Sequence, residues 1–233
     1  MGIQNLWVKF QNLILSYGGL TRTGKHLSVI CFCMMLAGQA AAQTTILAFG
    51  DSLTQGYGLP QQDGFVPQME RWLQDHGADV RLINGGVSGD TTAGGAARID
   101  WSLDSTIDAV ILCLGGNDVL RGLPPQTSRG NLRQIIETVN RRNLPLLLIG
   151  MKAPGNYGAT YKAEFDAIYP KLAAEYDLPF APDFFAPLRQ ISSNPADLKA
   201  YFQADGIHPN AQGVALIVSH LGPQVLTLLD AQK

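Results

Sequence analysis

Short apolar runs alternate along this chain with longer segments whose apolar residues recur at helical spacing. The runs contain no regular polar positions, which is typical of strands buried on both faces of a sheet. The intervening segments carry their apolar residues on one side only, as amphipathic helices do. The predicted strands are Thr45–Phe49, Val80–Ile83, Ala109–Leu114, Leu144–Ile149 and Leu178–Ala181. The predicted helices are Phe65–His76, about Ala93–Leu103, Asn131–Asn143, Tyr161–Tyr176 and about Ala211–Leu229.

This alternation of strands and helices predicts right-handed βαβ units and a parallel sheet. We therefore expect an α/β protein with three layers, α/β/α, and a five-stranded parallel sheet of the flavodoxin-like kind. Lys152–Thr160 is expected to be a loop, and the segment from strand five to Gln203 is expected to be irregular. The chain shows no internal repeat and no low-complexity linker.

The first 42 residues differ from the rest of the chain. They contain basic residues but no Asp or Glu, then the apolar run Leu27–Leu36, then small residues ending at Ala42. That order predicts a secretory signal cleaved after Ala42, with the run too short for a comfortable membrane crossing. We expect residues 1–42 to be removed and residues 43–233 to form one exported domain, periplasmic or secreted, without an integral membrane segment.

Charge and cysteine content narrow the function classes. The chain has 19 acidic residues against 17 basic ones, and no cluster of Lys or Arg indicates a nucleic-acid surface. Of three cysteines only Cys113 remains after the predicted cleavage, so no intrachain disulfide is expected. Cys113 lies within an apolar run, where a thiol is usually inert.

Polar residues follow the predicted strands at the points where they end. Ser52 follows strand one, Gly89 follows strand two, and Asn117 follows strand three. The segment after strand five supplies Asp205 and His208. Because the carboxyl ends of parallel strands lie along one edge of a sheet, we expect all five residues to meet in one crevice.

Asp205 and His208 are three residues apart, a spacing that places both side chains on one side of a turn. The carboxylate can then accept a hydrogen bond from one imidazole nitrogen while the other nitrogen faces a hydroxyl. This arrangement would make Ser52 a nucleophile and His208 its base. Of the other histidines of the mature chain, His76 lies at a predicted helix end and His220 lies on the last helix with no acid nearby, so both are interpreted as structural.

An activated serine also needs donors for the oxyanion that develops during acyl transfer. The candidates are the backbone N–H of Ser52, the N–H of Gly89 and the side-chain amide of Asn117. Three further aspartates lie in the same loops, and we expect them to cap and brace those loops rather than to react. They are Asp51, Asp90 and Asp118.

Together these segments resemble the four sequence blocks of the SGNH (GDSL-type) hydrolase superfamily, and the likeness spans essentially all of the mature chain. The blocks are Gly50-Asp51-Ser52-Leu53, Gly89, Gly115-Gly116-Asn117-Asp118 and Asp205-Gly206-Ile207-His208-Pro209. Further segments are similar to the periplasmic thioesterase I, protease I and lysophospholipase group, often called arylesterases. They are Ser88–Thr91, Leu120–Gly122, Pro154–Gly158 and Ala167–Leu172.

The resemblance implies a Ser52–His208–Asp205 triad, with Gly89 and Asn117 completing the oxyanion hole. It also implies that the loop after Asn117 and the loop around Pro154 border an acyl pocket, so Pro154, Asn156 and Tyr157 are candidate pocket residues. The chain departs from the group at Gly155 and in a longer segment, Ala186–Ala200.

These observations predict a serine esterase that cleaves aryl esters, acyl-CoA thioesters and lysophospholipids through an acyl-serine intermediate. A carbohydrate-ester deacetylase of the same superfamily is the main alternative. A non-catalytic phosphate- or nucleotide-binding module is a rival from another class, but the glycine turns lack G-K-[ST]. The α/β-hydrolase elbow G-x-S-x-G is absent around Ser52. No metal or cofactor is expected, and the pattern does not predict an oligomeric state.

Overall fold

Five parallel strands form the centre of the structure, a computed structural model that describes residues 43–194 and 196–230. The strands lie in the order β2-β1-β3-β4-β5, so the first strand is next to the centre of the sheet. Their bounds are β1 Thr44–Gly50, β2 Val80–Gly86, β3 Ala109–Cys113, β4 Leu146–Ile149 and β5 Phe180–Ala181. The predicted five-stranded parallel sheet is confirmed. The predicted signal segment, residues 1–42, lies outside the described residues.

Helices surround this sheet. They are α1 Ser52–Gln55, α2 Phe65–Asp75, α3 Thr92–Ser102, α4 Gly116–Leu120, α5 Pro125–Arg141, α6 Ala159–Asp166, α7 Ile168–Tyr176, α8 Ala186–Ile191 and α9 Ala211–Asp230. Short 3₁₀ turns occupy Gln61–Asp63, Gly155–Tyr157 and Lys199–Tyr201. Helix α2 packs against α9, and α3 packs against α5.

The core lies along the inner strands. Every residue of β3 is buried, and Ile46–Gly50 of β1 are buried as well. Burial on both faces explains why these strands are apolar without alternation. Cys113 ends β3 inside this core, and burial raises the pKa of its thiol well above the ordinary value. The expectation of a buried cysteine is confirmed.

Several predicted boundaries are wrong, and proline explains two of them. Helix α5 begins at Pro125, not Asn131, because proline is well suited to a first turn that needs no N–H donor. The predicted helix Tyr161–Tyr176 is two helices that meet at Ala167. Pro170 has no N–H to donate to the carbonyl of Asp166, so the helical hydrogen bonding is interrupted at this junction.

The segment predicted to be irregular contains α8 and the 3₁₀ turn Lys199–Tyr201. The predicted start of strand four is also wrong, since β4 begins at Leu146 rather than Leu144. These elements are short, and short elements give little hydrophobic periodicity to detect.

Helix α9 is long and apolar enough to cross a membrane by length and composition alone. In the fold, however, it is a core helix. Val214, Ile217, Leu221 and Val225 are buried, and Gly222 lies so close to Trp72 that an added Cβ would overlap the indole ring. A helix buried in a protein core can be as long and as apolar as a membrane span. The packing of α9 in the core therefore explains its high hydropathy.

Candidate active site

The carboxyl end of β1 carries the serine of the site directly into α1. Gly50 ends the strand, and a Cβ there would overlap the Thr54 side chain and the Cys113 carbonyl. The glycine is therefore required by close packing of α1 on the strand ends, and not by a left-handed backbone angle. Asp51 caps the helix by accepting the Leu53 N–H at 3.0 Å. Ser52 begins the helix and is only 9% exposed.

The structure brings Ser52, His208 and Asp205 together in one hydrogen-bonded line. The Ser52 Oγ lies 2.8 Å from His208 Nε2, and His208 Nδ1 lies 2.6 Å from Asp205 Oδ2. A hydrogen on Nδ1, donated to the carboxylate, leaves Nε2 free to accept the serine proton. The three residues therefore have the contacts that a nucleophile, a base and an orienting acid require.

The Asp205 carboxylate is held as an ion by its neighbours. Its Oδ1 accepts the backbone N–H groups of Ile207 and His208 at 2.9 and 3.0 Å. Partial burial acts to raise its pKa, but the hydrogen bonds from His208 and Ile207 outweigh it and lower the pKa to about 2. Asp205 is therefore charged at neutral pH.

Tyr57 covers the imidazole from the side of α1. Its ring centroid lies 4.7 Å from that of His208, and the two rings are tilted by 39°. Sequence reasoning did not find this residue. An aromatic residue between Gly56 and Gly58, shortly after the serine, is the only signal that could have indicated it.

Three N–H donors are available near the serine. Within residues 43–194 and 196–230, neither the N–H of Ser52 nor the N–H of Gly89 donates to a protein acceptor. Asn117 lies in α4, with its Nδ2 3.5 Å from Asp51 Oδ2. These are the groups that the sequence analysis selected as oxyanion donors.

The loop that carries Gly89 is fixed by charged side chains. Gly89 has φ +80°, a left-handed angle that favours glycine, and its carbonyl accepts from Arg121 Nη2 at 3.0 Å. The neighbouring Asp90 accepts from Arg98 Nε at 2.7 Å. The same guanidinium donates to the carbonyls of Gly85 and Gly50, both at 2.8 Å.

Arg98 therefore links the ends of β1 and β2 to the Gly89 loop, and it also lies over the Phe49 ring at 3.8 Å. Sequence reasoning missed this arginine. It lies within a helix of small residues, and nothing in that pattern indicates a contact with residues as distant as Gly50.

The other two acids behave as the bracing residues we expected. Asp118 is buried and accepts from the Thr92 N–H, the Thr92 hydroxyl and the Ser128 hydroxyl. Asp51 is only 1% exposed, and burial raises its pKa to about 6 although Leu53 and Asn117 donate to it.

A cavity of about 360 Å³ opens above Ser52 and His208. Gly89, Asn117 and Pro154 all line it, as the sequence analysis expected. The remaining lining is largely apolar. Val119 and Leu120 belong to the segment after Asn117 that the resemblance placed at the pocket, whereas Leu53, Met151 and Phe185 were not found by sequence reasoning.

The prediction that Asn156 and Tyr157 line this cavity is wrong. The Tyr157 hydroxyl donates to the Leu120 carbonyl at 3.0 Å, which turns the ring towards the loop after α4. Asn156 is exposed beside it and does not line the cavity.

Comparisons with known proteins agree with this geometry. Residues 48–216 match the model of the GDSL-like lipase/acylhydrolase family. The chain is 35% identical to thioesterase 1/protease 1/lysophospholipase L1 of Escherichia coli K12 over 207 residues, 88% of this chain and 94% of that protein. It is 34% identical to an arylesterase of Vibrio mimicus over 199 residues, 85% of this chain and 95% of that protein. The crystal structure of AlinE4, an SGNH-hydrolase family esterase, superposes with a TM-score of 0.64 at 47% identity, covering 80% of this chain and 97% of that one.

The fold, the site and these relatives define a hydrolase that acts on ester bonds. The chain belongs to the GDSL-like lipase/acylhydrolase family, and the resemblance to the SGNH superfamily is confirmed.

Proposed function

We propose that the protein is a serine esterase that hydrolyses carboxylic esters and acyl thioesters through an acyl-serine intermediate. The observation that carries the proposal is the 2.8 Å contact between Ser52 Oγ and His208 Nε2 at the base of an apolar cavity. A hydroxyl is a weak nucleophile unless a base of this kind takes its proton.

In the acylation half, Ser52 Oγ attacks the substrate carbonyl carbon as its proton passes to His208 Nε2. The carbonyl oxygen becomes an oxyanion, which the N–H groups of Ser52 and Gly89 and the amide of Asn117 stabilise. When the C–O or C–S bond breaks, His208 returns that proton to the leaving oxygen or sulfur. Asp205 holds the imidazole in the required tautomer and stabilises its charged form.

Deacylation repeats these steps with water as the nucleophile. Water loses a proton to His208 Nε2 and attacks the acyl carbon, and the proton then passes back to Ser52 Oγ as the acid is released. Overall, one ester or thioester and one water give one carboxylic acid and one alcohol or thiol. No cofactor is required.

The cavity supports an acyl chain as the bound group. Leu53, Val119 and Met151 offer apolar contact, and no acidic side chain other than Asp51 lines it within the described part of the chain. Relatives are named arylesterase and thioesterase 1/protease 1/lysophospholipase L1. We therefore propose aryl esters, acyl-CoA and lysophospholipids as substrates. Export of the mature domain, residues 43–233, is proposed on the pattern of residues 1–42 alone.

A substrate panel on the mature protein tests the proposal. We expect p-nitrophenyl esters to give a burst of p-nitrophenol, and intact mass to show one added acyl group that is absent in Ser52→Ala. Acyl-CoA and lysophospholipid should be turned over as well. Turnover of acetylated sugars alone would indicate the deacetylase, and nucleotide binding without ester turnover would contradict the proposal.

A further inference from the structure

A second and larger cavity, about 930 Å³, adjoins the one above Ser52. It lies between α8, the 3₁₀ turn Lys199–Tyr201 and the segment that leads to His208, and it shares Pro154 and Arg189 with the first cavity. We call it the leaving-group groove. We propose that this groove binds the alcohol or thiol side of the substrate and favours leaving groups that carry a phosphate. The inference rests on the proposed serine esterase mechanism.

The direction of proton transfer places the leaving group on this side. His208 Nε2 must hand its proton to the leaving oxygen or sulfur as the bond breaks, so that atom has to lie on the imidazole side of the acyl carbon. Gln203 and Gly206 line the groove and belong to the segment that carries the imidazole. The acyl chain, by contrast, has its apolar contacts in the first cavity.

The charges lining the groove have one sign. Its charged lining residues are Arg189 and Lys199, and no carboxylate lines it within residues 43–194 and 196–230. No acid lies within ion-pair distance of Lys199 in the same ranges. The hydroxyls of Ser192 and Ser193 add neutral hydrogen-bonding groups to the wall. An anion is the ligand that such a lining favours.

The two cations contribute differently. Arg189 is fixed, because Asp183 accepts from its Nε at 2.5 Å, and its position at the junction of both cavities is set by that pair. Since Asp183 balances its charge, the net positive charge comes from Lys199. A phosphate several bonds from the reacting carbonyl could reach Lys199 while the acyl carbon lies at Ser52.

Much of this groove is built from Ala186–Ala200, the segment in which the sequence analysis expects the chain to depart from the group that it resembles. The preference would therefore be a property of this chain's own segment. Two kinds of leaving group share the required chemistry, a phosphate-bearing thiol such as coenzyme A and a glycerol phosphate. The experiment has to separate them.

Two pairs of substrates with the same octanoyl chain separate the two kinds of leaving group. One compares octanoyl-CoA with S-octanoyl-N-acetylcysteamine, which keeps the thioester but lacks phosphate. The other compares 1-octanoylglycerol 3-phosphate with 1-octanoylglycerol. The readout for each pair is kcat/KM of the phosphate-bearing substrate divided by kcat/KM of the phosphate-free one. A general loss of activity cancels in this ratio.

The variants are Lys199→Gln, Lys199→Glu and the control Lys171→Gln, an exposed lysine on α7 that lines neither cavity. We expect Lys199→Gln to lower the ratio by about three- to fivefold in at least one pair, the size of one partly screened charge contact. Lys199→Glu should lower it by about tenfold, since repulsion replaces attraction. Raising salt from about 0.02 M to about 0.3 M should reduce the wild-type ratio but not that of Lys199→Gln.

The pair that responds identifies the leaving group, and either response supports the proposal. Ratios that are unchanged in both Lys199 variants, or that change equally in Lys171→Gln, would overturn it while ester turnover persists. If the wild-type protein cleaves none of the four substrates and no p-nitrophenyl ester, the proposed function fails, and this inference fails with it.

Discussion

The two sides of the site are built in different ways. On one side Ser52, Asp51 and Asn117 lie at the ends of β1 and β3, where Asp51 is 1% exposed and Ser52 9%. On the other side Asp205 and His208 lie in a loop with side chains 36% and 17% exposed. The first, which we call the sheet side, adjoins the buried end of β1, whereas the two side chains of the second, the loop side, are partly exposed.

The pKa values of Asp51 and Asp205 differ in the same way as the burial of the two sides. Burial raises the pKa of Asp51 to about 6, whereas hydrogen bonds in the loop overcome partial burial and lower that of Asp205 to about 2. The sheet side therefore depends on packing, and the loop side depends on polar contacts near solvent. Substitutions on the sheet side should affect stability as well as turnover, while those on the loop side should affect turnover far more than stability.

The largest expected effect is loss of turnover in Ser52→Ala and His208→Ala. Each should lower kcat by about 10⁴- to 10⁶-fold, and the double variant should lose little more, because the residues act as a unit. Steady-state kinetics with a p-nitrophenyl ester measure this. His208→Ala should keep nearly the wild-type Tm, since it removes a side chain from a loop and not from the core.

Strictly additive losses in the double variant would contradict the shared mechanism. A large fall in Tm for His208→Ala would contradict the structural comparison instead, since it would make the loop side as important for folding as the sheet side.

The next effect concerns the stability of the sheet side. Arg98→Met should lower the free energy of unfolding by about 3–5 kcal/mol, because Asp90 and two carbonyls lose their donor where both charged side chains are only 11% exposed. Arg142→Met is the matched control, since its ion pair with Asp100 has side chains 47% and 79% exposed. It should cost about 1 kcal/mol or less. Urea denaturation followed by circular dichroism measures both, and equal losses would refute the distinction.

Asn117→Ala should lower kcat by about 10²- to 10³-fold with a modest change in KM, because a donor to the oxyanion acts mainly in the transition state. Kinetics on the same p-nitrophenyl ester measure the two constants separately. If KM alone rose, Asn117 would be a residue that binds the substrate, and the oxyanion would depend on the backbone N–H groups of Ser52 and Gly89.

The sheet side could be predicted from sequence, since short apolar strands followed at once by Ser52, Gly89 and Asn117 fix where those residues lie. The spacing of Asp205 and His208 likewise predicted their contact. Local patterns carry this information because parallel strands bring their carboxyl ends to one edge.

What surrounds the site could not be predicted in the same way. Arg98 reaches three separate segments, and its contacts depend on packing between residues far apart in the chain. The contact of Tyr57 with His208 depends on how a loop folds back on the site. The failure at Asn156 and Tyr157 has the same cause, since a hydrogen bond to Leu120 decides where the ring points.

The smallest expected effect is a pH dependence of stability due to Asp51. Its folded-state pKa of about 6 exceeds the ordinary value of 3.8, so between these values the folded state binds more protons than the unfolded state. Stability must then fall as pH rises from about 4 to about 6, by up to about 3 kcal/mol from this group. Asp205 has the opposite sign, because its lowered pKa adds stability that is lost as pH falls from about 4 towards 2.

Asp51→Asn should remove the fall in stability between about pH 4 and about pH 6, and it should leave the effect of Asp205 below about pH 4 unchanged. Asparagine can still accept the Leu53 N–H as a helix cap, so the fold should persist. Urea denaturation at a series of pH values from about 4 to about 7 measures the slope, and Asp75→Asn, an exposed position at the end of α2, is the control. An unchanged slope in Asp51→Asn would mean that the carboxylate is solvated in the folded protein. The contrast between the buried and the exposed side of the site would then not extend to its aspartates.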